Sequence, residues 1–169
     1  MPKTLADARI RLVALTTAPA NPAAPTVAEL EAGVDLSCRI LKSDYRLSPV
    51  ASDTVADTEL CAEGNAVTYG ASNYEGSVTP FRYLTDTGAA DTVNDVAWEA
   101  LKEKGTELWL YEREGPRYDA AWAADDEVEG YQVITDNPQK PTDRTGFIKR
   151  VVPLGVQRAW LNATVAAGA

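Results

Sequence analysis

"DTGAADTVNDVAWEALKEKGTELWLYERE", residues 86–114, changes period at one glycine. Before Gly105, residues Val93, Val96, Ala97, Ala100 and Leu101 recur at helical spacing on one face. The spacing predicts a helix over about 92–104. Thr92 stands where a cap is wanted, with Asp95 three residues later. Lys102 and Lys104 suit the negative end of the helix, and Gly105 suits its stop. After Gly105 the chain alternates. Leu108 and Leu110 point one way, Trp109 and Tyr111 the other. Such a strand is apolar on both sides and must be covered on both.

Strand-like runs lie on either side of this stretch. "ARIRLVAL" (8–15) and "VDLSCRIL" (34–41) both alternate. Between them, prolines 19, 22 and 25 make a loop with a short helical turn expected at 27–32. "VTYG" (67–70) and "YEGSVTPFRYL" (74–84) are further strands. Gly76 and Pro80 mark the second as bent or as an edge. Downstream, "YQVIT" and "TGFIKRVV" read as a strand pair joined by "DNPQKPTDR", with "GVQRAWLNATV" as a last strand. Residues 43–66 are acidic, carry Pro49 and follow neither period, so a long loop is expected. Strands, one helix, then strands define a mainly β (α+β) chain. The expected architecture is an antiparallel β-sandwich or partly closed barrel with one flanking helix. Residues 1–169 form a single domain on the length prior.

Composition removes several kinds of chemistry. The chain has no histidine, which excludes imidazole bases and triads and the commonest metal ligand. No nucleotide-binding glycine loop and no nucleophile-elbow motif occurs. "DDEVEG" (125–130) gathers acids without the spacing of a calcium loop. Nothing singles out a pair of carboxylates for glycoside hydrolysis. We therefore expect no catalytic residues, no cofactor and no metal. Cys38 and Cys61 lack metal-ligand spacing and are expected to be buried thiols in a reducing compartment. No apolar run approaches the roughly 20 residues of a membrane helix, and Met1–Arg11 lacks the pattern of a secretory signal. The formal net charge of −9 disfavours adhesion to nucleic acid or anionic lipid.

The block from Asp53 to Leu84, "DTVADTELCAEGNAVTYGASNYEGSVTPFRYL", resembles the major tail, or tail tube, protein of long-tailed non-contractile bacteriophages of actinobacteria. "GTELWLYEREG", "EGYQVITDNPQ" and "GFIKRVVPLG" follow in the order expected of that family. The resemblance covers about two thirds of the chain and includes no catalytic motif. It implies a virion protein assembled in the host cytoplasm. Its subunits form hexameric rings that stack around a tape-measure protein, alongside other tail proteins, and genomic DNA passes through the lumen. It also implies that residues 43–66 reach a neighbouring subunit or ring. Asp53, Asp57, Glu59 and Glu63 thereby become candidate contacts, with Glu75 and Arg82 as candidate paired charges. A head–tail connector or tail terminator is the alternative within virion proteins, and would form single rings. A monomeric small-ligand-binding β-sandwich is the alternative from another class, with a carboxylate hydrolase behind it.

Overall fold

The computed structural model describes residues 3–61, 63, 64 and 66–167. The elements run β1 (Ile10–Leu15), α1 (Val27–Glu31), β2 (Val34–Asp35), β3 (Arg46–Val50), β4 (Thr54–Val55) and β5 (Thr68–Tyr69). They continue with β6 (Asn73–Val78), α2 (Val96–Leu101), β7 (Glu107–Glu114), β8 (Glu127–Thr135) and β9 (Val152–Thr164). Seven strands make one antiparallel sheet in the order β2-β1-β7-β8-β9-β6-β3, and β4 and β5 form a separate hairpin. The mainly β, antiparallel architecture is the one expected, and the sheet does not close by continuous pairing.

The two-sided strand is β7, and it does have a core on each side. Leu108 and Leu110 join Leu12, Tyr131 and Val133 on one face. Leu36, next to one sheet edge, and Leu47 of β3, at the other, belong to this same core. The sheet must therefore curl around that face. Local pairing follows the curl: Leu41 N donates to Thr79 O (2.9 Å) and Phe81 N to Arg39 O (2.9 Å). Tyr111 lies on the opposite face with Val13, Leu15 and Val128, under Leu30 of α1 and Trp122. The chain thus covers both faces of β7 itself. Beside the one flanking helix, the short helical turn expected at 27–32 forms as α1 and shares the work. Its start carries a capping box: Thr26 Oγ1 accepts from Glu29 N (3.2 Å), and Glu29 Oε2 accepts from Thr26 N (2.7 Å).

Several local expectations are corrected. The helix is six residues long and begins at Val96, not at Thr92. Asp91 holds the preceding turn by accepting from Val93 N (3.0 Å) and Asn94 N (3.2 Å). Val93 is left 75% exposed, while Ala97 and Leu101 are buried. The run 34–41 is strand only at Val34–Asp35. Asp35 Oδ1 then accepts from Ser37 N (2.9 Å), and this local turn outcompetes the ladder. Residues 43–66 are not all loop, since β3 lies within them; residues 62 and 65 lie outside the described residues. Pro49 obscured β3, but proline is tolerated on an edge strand. β6 is internal, paired with β3 and β9. Its Gly76 is there for closeness: a Cβ would stand 2.9 Å from Leu154 Cβ. The expected strand over 145–152 is not formed, since residues 145–151 add only isolated pairings, and the last expected strand is the 13-residue β9, which begins earlier, at Val152. Both cysteines are exposed, not buried.

Candidate assembly surface

Arg82 and Glu75 do not pair with each other. Arg82 reaches the start of α2, where its Nη2 stands 2.9 Å from Asp95 Oδ2. Its guanidinium also lies over the Trp98 ring, 4.7 Å from the centroid. Asp95 is fully buried and accepts from Tyr83 N as well (2.9 Å). The carboxylate that sequence assigned to helix capping is therefore a buried clamp between α2 and the segment after β6. Glu75 instead meets Arg46 of the adjacent strand β3 at 2.8 Å, with both side chains about half exposed. Pairs so exposed contribute little to stability, about 0–1 kcal/mol.

The four acids of the early loop belong to the hairpin that joins β3 to β6. Asp53 sits at its base: its N–H donates to Ala71 O (2.9 Å), and its Oδ1 accepts from Asn73 Nδ2 (2.9 Å). Asp57, Glu59 and Glu63 lie further out and are exposed. None of the four is in an ion pair among the described residues. Apolar residues accompany them without cover. Leu60 is fully exposed, and Val55, Val67 and Tyr69 are at least half exposed.

A second acidic group was missed at the sequence level. On the face of β7 that carries Leu108 and Leu110, the next two alternate residues are Glu112 and Glu114. On β8, Glu127 and Glu129 precede Tyr131 and Val133 in the same way. Glu112 and Glu129 are direct cross-strand partners. The four line a concavity of about 510 Å³ whose far wall is Leu47, Ser48 and Pro49 of β3. Like charges placed so are unfavourable, and two tyrosines moderate them. Tyr45 Oη donates to Glu112 Oε2, and Tyr131 Oη donates to Glu129 Oε2 (2.5 Å). Burial pushes the Glu112 carboxyl above its usual range; Tyr45 opposes the rise, and Glu114 and Glu129 add to it. Burial likewise raises the Tyr45 hydroxyl, with Glu112 reinforcing it. The signal was present in sequence as a strand face that changes from leucine to glutamate halfway along.

On the opposite core, Arg113 is buried and donates to Asp126 Oδ2 (2.7 Å) and to the carbonyls of Ala121 (2.9 Å) and Ala120 (2.9 Å). This fastens residues 117–126 to the sheet. One acid of "DDEVEG" is thereby spent on structure, and no cluster of metal-ligating residues occurs among the described residues.

Strand edges complete the surface. β6 pairs with β9 only at Val152, Pro153 and Leu154. From Gly155 to Asn162 the outer edge of β9 has no strand beside it among the described residues. β3 is likewise paired on one side only. Unpaired edges of this kind are templates for another chain.

Open strand edges and an uncovered hairpin leave surface that another chain can cover. Comparison with known families makes this specific: the model described as phage tail tube protein matches residues 1–169, and the chain belongs to that family. It is a structural protein of the phage tail. In fold it is similar to a chain of the "Cryo-EM structure of the anti-feeding prophage (AFP) baseplate, 6-fold symmetrised", with TM-score 0.51 and 11% identity, covering 100% of each chain. No curated protein matches the chain. No helix among the described residues is long and apolar enough to cross a membrane.

Proposed function

We propose that the chain polymerises as hexameric rings that stack into the tube of a long non-contractile tail. The tube grows around a tape-measure protein, and genomic DNA later passes through its lumen without specific binding. The observation that carries this reading is the free outer edge of β9 from Gly155 to Asn162, in a chain of the tail tube family. Pairing along that edge extends the sheet from copy to copy. Contacts between unlike surfaces close into rings when the rotation permits. The six-fold symmetry named for the baseplate of similar fold is compatible with a ring of six.

Charge supports the passage of DNA. Double-stranded DNA carries about one negative charge per 1.7 Å of axis. A basic wall would hold it, whereas an acidic wall repels it and keeps it moving. The glutamates of the β7–β8 face are the acids we assign to the lumen side. Cryo-electron microscopy of the assembled protein tests this assignment. A neutral or positive lumen would refute the account of passage even if tubes form.

A further inference from the structure

The hairpin has a counterpart elsewhere on the chain. Between Asp53 and Tyr69 there are four carboxylates and no cation. Between Lys140 and Arg150 there are four cations and one acid, Asp143. Lys140 and Arg144 are exposed, and no cation of this loop is in an ion pair among the described residues. The loop also shows apolar side chains to solvent: Phe147 is 81% exposed and Ile148 is 52% exposed. Each patch thus combines unpaired charge of one sign with uncovered apolar surface.

The fold keeps the two apart within a subunit. The hairpin leaves from the start of β6, where Val50 pairs with Asn73. The basic loop is fixed just beyond the other end of β6, where Val78 pairs with Val152. There Arg82 N donates to Ile148 O (2.8 Å), and Arg150 N donates to Pro80 O (3.2 Å). The strand between them has six residues, about 17 Å at roughly 3.4 Å per residue. Complementary patches at opposite ends of one strand suit a head-to-tail contact between copies, which repeats without limit unless it closes.

We propose that the acidic hairpin of one copy docks on the 140–150 loop of the next copy along the tube. Asp57, Glu59 and Glu63 face the cations, and Leu60 packs against Phe147 and Ile148. This deepens the tube reading and rests on it. It names the surface that receives the hairpin and assigns ring-to-ring contact to charge of opposite sign.

Charge reversal in two halves tests the pairing. One variant carries Glu59→Lys and Glu63→Lys; the other carries Lys140→Glu and Arg144→Glu. All four positions are exposed, so both should melt like the wild type. Each alone should raise the critical concentration for tubes about tenfold or more, a loss of about 1.4 kcal/mol per step. Mixed in equal amounts they should copolymerise, since each then meets its complement. A covalent check uses Cys61 in the hairpin: with Cys38→Ser and Ile148→Cys, oxidised tubes should run as a ladder of cross-linked chains. Wild-type tubes with unaffected reversal variants, or a mixture that stays unassembled, would overturn this contact and leave the tube reading standing. So would oxidised tubes without a ladder. If the loop variant assembles normally but no longer retains a double-stranded DNA oligonucleotide, the loop is a nucleic-acid contact and the proposal fails. A wild-type chain that stays monomeric at every concentration removes the tube and the contact together.

Discussion

Arg82 and Asp95 form an ion pair whose carboxylate has no access to water. Removing one partner leaves the other charge buried, which costs about 3–5 kcal/mol. Arg82→Ala should lower monomer stability by that amount in urea titration; an unchanged midpoint would show that Asp95 finds water. Glu112 makes the opposite case. Its folded-state carboxyl is raised by burial, so its ionisation works against folding. The sign follows from linkage: the penalty is present above the raised folded-state value and absent below the unfolded-state value. Glu112→Gln should therefore raise the melting temperature at neutral pH, and the gain should shrink on acidification through the carboxylate range. A gain that persists in acid would contradict the stated cause. Neither role was legible from residue type. Arg82 was visible as a charge inside a strand-like run, but its partner, 13 residues later, was assigned to a helix cap. The glutamates alternate correctly, yet the register that sets Glu112 beside Glu129 is a long-range fact.

At the scale of elements, α2 and the β3–β6 hairpin behave differently. α2 is too short to hold itself and depends on the core it enters. Leu101 is fully buried, so Leu101→Ala should cost about 2–5 kcal/mol. Val93→Ala, at an exposed position before the helix, should stay within about 0.5 kcal/mol. Equal effects in thermal melts would restore the longer helix. The hairpin pairs β4 with β5 over only two residues each and buries little. In the monomer, amide exchange should be fast over 53–70 and slow over 46–50, where β3 pairs with β6. Assembly should slow the former. Strong protection of 53–70 in the monomer would show that it needs no neighbour. Sequence located β1, β7 and α1 because their patterns are local and uninterrupted. It missed β3, where Pro49 breaks the pattern but only pairing on one side is needed. It began β9 at Gly155, three residues late, because Pro153 and Gly155 look like punctuation; in the fold, Pro153 lies opposite Ser77 and Gly155 opposite Ile134.

For the whole molecule, the ordering β2-β1-β7-β8-β9-β6-β3 decides which surfaces remain for partners. Both faces of β7 are covered by the chain's own helices and loops, so uncovered sheet faces do not by themselves demand assembly. Among the described residues, the uncovered parts include the outer edges of β9 and β3, the hairpin and the basic loop. The composition already indicated an absence of imidazole chemistry, and the blocks from Asp53 to Leu84 indicated the family. The location of the contacts depends on which strands become neighbours, which no local pattern encodes. The direct test of the central claim is electron microscopy of the purified chain, from dilute to concentrated. The account predicts hollow tubes of stacked six-fold rings with an acidic lumen. Monomers at all concentrations, or lone rings that never stack, would contradict it.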